Sequence, residues 1–197
     1  MLQPVRFVFL FIALLWNALP SEADPNMEVE TSFETIRSWL QTNAAPLYDE
    51  FNPPASAEEI HAFESQAGVT LPRSLREAYS IHNGEKGTTN GIFGAWRWLP
   101  LNEAMSHRQY LLESGLSLAA GAIPVLISGG GDYFYAESVE SARNDSEIME
   151  WWHEQPGRDV KYKSFAAFLA EFAELLERGQ YVYLPDEFVG LIDRDEL

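Results

Sequence analysis

Leu71-Pro72-Arg73-Ser74-Leu75-Arg76-Glu77-Ala78-Tyr79-Ser80-Ile81-His82-Asn83-Gly84 is the stretch on which the fold turns. The three residues up to Leu71 read as extended, because a proline ring disfavours helical geometry in the residue before it. Pro72 suits the first turn of a helix, where its missing N–H has no bond to make. Leu75, Ala78 and Tyr79 then share one face at helical spacing. His82-Asn83-Gly84 closes the helix, since Asn and Gly tolerate the left-handed conformation of a C-cap.

Upstream, Ser56-Ala57-Glu58-Glu59 is a capping box that opens a helix with Ile60, Phe63 and Ala67 inward, stopping at Gly68. Before it, Val29, Phe33, Ile36 and Leu40 mark an amphipathic helix, which Pro46 and Pro53-Pro54 end and turn into a linker. Downstream, a glycine-rich loop over 84–91 leads to a strand over 92–99, and Asn102 caps a helix reaching 112. Further strands are read over 123–128, 132–136 and 147–153, with Gly129-Gly130-Gly131 as a turn demanding unusual backbone angles. Ser164 caps a last long helix whose stripe is Phe165, Phe168, Leu169, Phe172, Leu175 and Leu176, with Gly179 beyond its end. The tail over 181–192 alternates enough to add an edge strand. Helices first, an antiparallel meander next and a long C-terminal helix last make the fold α+β rather than alternating α/β.

The chain has 197 residues, 46% of them apolar and 22% charged, which excludes a disordered chain and suits one domain. Acids outnumber bases 30 to 13, for a formal charge of −17. Such a surface repels phosphate backbones and anionic lipid heads, so the expected partner is a basic protein rather than nucleic acid or a membrane. Without cysteine there is no disulfide and no thiolate metal site. The apolar run over 7–16 follows Arg6 and is shorter than the ~18–20 residues a membrane span requires, which matches a secretory signal peptide over 1–23 cleaved after Ala23. Export to the periplasm or exterior follows from that reading. A start at Met27 would instead leave the protein cytoplasmic, and an uncleaved anchor is the third alternative. The ending Arg194-Asp195-Glu196-Leu197 resembles an endoplasmic-reticulum retrieval signal, and Asn144-Asp145-Ser146 is a formal glycosylation sequon; residence there is a minor alternative, since in an acidic chain both can arise by chance.

Catalytic signatures are absent from the sequence. His61, His82, His107 and His153 form no HExxH and no i,i+4 pair. There is no GxSxG or SxxK, and Gly129-Gly130-Gly131-Asp132 lacks the Lys and Ser/Thr of a phosphate loop. An enzyme would have to use Asp132, His153 and Glu154, a weak set of ligands, and no cofactor or metal is expected. Carboxylates instead gather with aromatics around the meander: Tyr133, Tyr135, Glu147, Glu150, Trp152 and Glu154 make a candidate patch for a basic partner. The competing reading puts at least half of these rings in the core.

Taken in order, Ile60-x-x-Phe63-Glu64, Leu71-Pro72-x-x-Leu75, Tyr79, His82-Asn83-Gly84, Trp98-Leu99-Pro100-Leu101, Ile123-Pro124-Val125, Gly130-Gly131-Asp132-Tyr133, Trp151-x-His153-Glu154 and Ser164-Phe165-x-x-Phe168-Leu169 resemble the SUKH superfamily. Its fungal members act as cell-wall assembly regulators, and many bacterial members are immunity proteins. The resemblance spans 60–172 and implies a single α+β domain over 24–197 that is not an enzyme. It would bind and neutralise a cognate toxin, with a regulatory scaffold in cell-wall assembly as the alternative. The shared residues (Leu71, Pro72, Leu75, Tyr79, His82, Asn83, Gly84, Gly130, Gly131, Asp132, Trp151 and His153) are expected mostly to build the fold. The apparent signal peptide departs from the usual cytoplasmic members and points to a target met outside the cytoplasm.

Overall fold

A computed structural model describes residues 25–113, 120–154, 159–185 and 190–196. The segment 1–23, expected as a signal peptide, and the terminal Leu197 lie outside them. Helix α1 (Pro25–Asn43) fully buries Val29, Phe33, Ile36 and Leu40, the stripe expected from their spacing. The linker expected after it is in part a helix. Pro46 sits in the first turn of α2 (Ala45–Tyr48), where a proline is pre-shaped for the helix, and Leu47 is buried. In α3 (Ala57–Ala67) the capping box is complete: the Glu59 amide donates to Ser56 Oγ at 3.2 Å, and the Ser56 amide donates to Glu59 Oε2 at 2.7 Å. Gly68 closes α3 at φ 67°.

Pro72 is the N-cap of α4 (Arg73–Ile81), one position earlier than the first turn. His82 ends α4 in an extended conformation, so the left-handed residue of this stop is Gly84, at φ 66°. Leu71, Leu75 and Tyr79 are fully buried, and the Tyr79 hydroxyl donates to the Leu99 carbonyl at 2.9 Å. The next helix, α5 (Leu101–Glu113), is not capped by Asn102, which lies inside its first turn. The Leu101 amide donates instead to Asn83 Oδ1 at 3.0 Å, a partner eighteen residues away in sequence.

Five antiparallel strands form the main sheet in sequence order: β1 (Trp96–Trp98), β2 (Ala122–Ser128), β3 (Tyr133–Glu137), β4 (Ile148–Trp151) and β5 (Asp159–Tyr162). The strand expected over 92–99 shrinks to β1, because the chain before it folds back in an isolated bridge between Phe93 and Trp96. β5 has no counterpart in the sequence reading; Asp-Val-Lys-Tyr is too short and polar to signal a strand. Helix α6 (Phe165–Glu177) is capped by Ser164, whose Oγ accepts from the Ala167 amide at 3.0 Å, and buries Phe165, Phe168, Leu169, Phe172 and Leu176. It has 13 residues against the 19 of α1, and the tail follows it. That tail is not an edge strand of the main sheet. β6 (Tyr181–Tyr183) and β7 (Leu191–Asp193) pair with each other as a separate two-stranded sheet.

Side-chain alternation sorts the two faces of the main sheet. Phe134 packs edge-on against Phe168 of α6, and its neighbour Tyr133 meets His107 of α5, so the two helices cover opposite faces. α1 lies along α6 and α4, and Phe33 stacks on Trp98 with centroids 5.7 Å apart.

Candidate protein-binding surface

The predicted patch separates into interior and exterior. Tyr133 and Tyr135 are buried on the β3 face toward α5, and Glu150 is buried on the opposite face, where the β4 register pairs it with Phe134. Its carboxylate is kept there by Lys161 of β5, with Nζ 2.5 Å away. These three residues therefore do not belong to an open surface, and the correction follows from the two-residue period of the sheet. Trp151 is also buried, while Trp96 is half-buried and stacked on Phe134 at 4.1 Å. Glu147, Trp152 and Glu154 remain exposed.

Trp152 and Glu154 sit on a corner built by buried Asp132. Asp132 Oδ1 accepts from the His153 amide at 3.0 Å and from its ring Nδ1 at 2.7 Å, and Oδ2 accepts from the Ser128 hydroxyl at 3.1 Å. Ser128 Oγ in turn accepts from the amides of Gly130 and Asp132, at 3.2 and 3.1 Å. Gly131 takes φ 88°, which lets the chain reverse between β2 and β3 while forming these bonds. The turn after β2 is thereby tied to the exit of β4. Burial alone would push the Asp132 carboxyl up, but the His153 amide and ring and the Ser128 hydroxyl outweigh it and hold the pKa below its ordinary value.

What this corner presents is a tryptophan 48% exposed, between a buried Trp151 and a half-exposed imidazole. Glu154 Oε1 stands 4.0 Å from His153 Nε2. Nearby, Tyr133 joins its hydroxyl to His107 Nδ1 at 2.8 Å, and burial, followed by the neighbouring Tyr110, raises its pKa. Tyr110 is 62% exposed and was not among the sequence candidates; it lies off the Leu101–Ala104–Leu111 stripe of α5, which was the signal available. No group of three His, Cys, Asp or Glu side chains arranged for a metal occurs among the described residues.

The remaining motif residues hold the frame. His82 stacks on Phe51 at 4.4 Å and donates from Nδ1 to the Asn52 carbonyl at 3.0 Å. Burial lowers its pKa; the Asn52 bond opposes this and Arg37 adds to it. Sequence reading missed Glu85 and Glu50, two buried carboxylates that pin the glycine-rich loop. Glu85 accepts from the amides of Ile92 and Trp98 at 2.9 and 2.7 Å. Glu50 accepts from the Thr88 amide at 2.9 Å and from its hydroxyl. A carboxylate inside a glycine-rich loop carries no sequence mark of burial.

A family model described as SMI1 / KNR4 family (SUKH-1) matches residues 54–171, more than half of the chain. A Neurospora crassa protein named glucan synthesis regulatory protein is 24% identical over 136 residues, covering 64% of this chain and 24% of that protein. The chain thus spans about a quarter of the length of the curated relative it matches.

Proposed function

The chain belongs to the SMI1 / KNR4 family (SUKH-1), and from that premise we propose that it is a non-catalytic protein-binding domain that neutralises a cognate, basic bacterial toxin. The observation that carries this reading is the Asp132 corner. In a chain of charge −17 it holds an exposed Trp152 beside Glu154 on hydrogen bonds already made before any partner arrives. An exposed aromatic flanked by acid suits a lysine- or arginine-bearing surface, because the ring supplies desolvated area and cation–π attraction while the charges speed encounter. Export after cleavage behind Ala23 belongs to the same proposal and places the target outside the cytoplasm.

The test is co-expression with the product of the adjacent gene. A stable complex and rescue of growth are expected, and Trp152→Ala is expected to weaken the complex about tenfold or more while leaving thermal stability unchanged. No complex together with no rescue sinks the toxin reading. Sequencing the mature N-terminus tests export: Asp24 supports it, and Met27 places the protein in the cytoplasm.

The name of the Neurospora relative favours a second reading, a regulatory scaffold in cell-wall assembly. Affinity capture that recovers cell-wall synthesis proteins, with no toxin-like partner, would select it.

A further inference from the structure

Two Asn-Gly steps stand at the ends of the glycine-rich loop, Asn83-Gly84 and Asn90-Gly91. In such a pair the backbone nitrogen of the glycine can attack the asparagine side-chain amide, because no Cβ hinders the approach. This chemistry is one reason asparagine counts as a thermolabile residue.

The fold treats the two steps differently. Asn83 is half-buried, and its Oδ1 accepts from the Leu101 amide at 3.0 Å. Its own amide donates to the Pro53 carbonyl and its carbonyl accepts from Asn52 Nδ2, both at 3.0 Å. The Gly84 carbonyl accepts from the Asn52 amide at 3.0 Å, and a Cβ on Gly84 would stand 2.5 Å from the Pro100 nitrogen. Turning the Asn83 carboxamide onto the Gly84 nitrogen would therefore break the Leu101 bond in a backbone with no room to follow. Asn90 is exposed, at the end of a run of bends over 87–90, and its side chain makes no hydrogen bond among the described residues. The Gly91 amide makes only a long bond among them, 3.4 Å to Thr89 Oγ1.

We infer that Asn90 is a site of spontaneous deamidation and that the fold protects Asn83 from the same reaction. The Gly91 nitrogen gives up its proton and bonds to Asn90 Cγ, and the side-chain nitrogen leaves as ammonia, closing a succinimide. Water then opens the ring. Breaking the bond between Cγ and the Gly91 nitrogen gives aspartate, and breaking the main-chain bond gives isoaspartate. One water is consumed, one ammonia is released, and no other reactant is required. The isoaspartyl product carries an extra methylene in the main chain. It lies between Thr88, whose amide donates to Glu50, and Ile92, whose amide donates to Glu85. A Cβ on Gly91 would stand 2.2 Å from the Trp96 oxygen, so the chain here has no slack to take up that methylene. Deamidation thus adds a charge to the loop and loosens its anchors, whatever partner the protein binds.

The test is peptide mapping by mass spectrometry after incubating the purified protein at pH 8.5 and 37 °C, beside a sample held unfolded in guanidinium chloride. Cleavage after Arg76, Lys86 and Arg97 puts Asn83 alone in 77–86 and Asn90 alone in 87–97. In the folded protein the 87–97 peptide should gain the mass of an –NH2 to –OH exchange at least about tenfold faster than 77–86, the ratio that one retained hydrogen bond amounts to. In the unfolded sample the two should convert at similar rates, because both are Asn-Gly. Asn90→Gln, an exposed change that would have to close a less favoured six-membered ring, should abolish the change in 87–97. After the same incubation the native protein should unfold at lower urea than this variant. An Asn90 peptide that stays unchanged in the folded protein, or that converts no faster than the Asn83 peptide, overturns the assignment. Conversion with no fall in the urea midpoint overturns the loosening of the loop.

Discussion

Glu85 is fully buried, with Arg97 and Glu50 as its charged neighbours and the amides of Ile92 and Trp98 as its donors. Burial dominates, and pushes its pKa up from the ordinary 4.5 to about 8. Between those two values the folded state binds a proton that the unfolded state has released. Stability from this group is therefore greatest at low pH, falls as pH rises through the window, and levels off above about 8. Urea unfolding of Glu85→Gln alongside the native protein at pH 5 and pH 8 checks this: the native protein should lose ground to the variant as pH rises. A constant difference between the two would remove Glu85 from the titration. Gly84 gives a second prediction at this scale. A Cβ there would stand 2.5 Å from the Pro100 nitrogen, at a φ of 66°, whereas a Cβ on Gly179 meets nothing within 4 Å at φ 70°. Gly84→Ala should cost about 3 kcal/mol by chemical denaturation, and Gly179→Ala about 1 kcal/mol, because only the first adds a backbone collision to the left-handed strain.

Among the elements, α1 shows how much of the molecule lies outside the family-matched segment 54–171. Phe33 is fully buried and touches the rings of Phe51, His82 and Trp98, with centroids at 6.0, 5.5 and 5.7 Å. Phe33→Ala should therefore cost about 3–5 kcal/mol in urea unfolding, as large-to-small changes in a packed core do; a near-neutral result would make α1 a detachable arm. The helices were the legible elements. Spacing alone placed the stripes of α1, α3, α4 and α6, because one buried side every 3.6 residues leaves a mark in the order of side chains. Strands were less legible: β1 shrank and β5 went unseen, since a strand is completed by hydrogen bonds to a neighbour that the local sequence does not contain. The candidate patch failed in half of its members for the same reason. Tyr133, Tyr135 and Glu150 look like Trp152 and Glu154 in composition, and only pairing and helix cover decide which are inside.

For the molecule as a whole, charge makes a prediction that no single contact makes. A chain at −17 attracting a basic partner should bind it with an association rate that falls about tenfold between 50 and 500 mM salt, as the Debye length contracts to a few ångströms. Trp152→Ala should act mainly on dissociation, because a buried anchor breaks late and steers little. Stopped-flow or surface-based kinetics would separate the two, and a salt-independent association rate would remove steering from the account. The sequence by itself determined the class of the fold, the helix boundaries set by Ser56, Gly68 and Ser164, and the acidic character of the surface. Those properties are local or additive, and composition and spacing carry them. Tertiary structure alone decided that Asp132 buries itself to fix His153, that Asn83 caps a helix eighteen residues away, and that Glu85 and Glu50 lie inside. Each of these depends on which distant groups share a space, and burial is a property of the packed chain rather than of any residue in it.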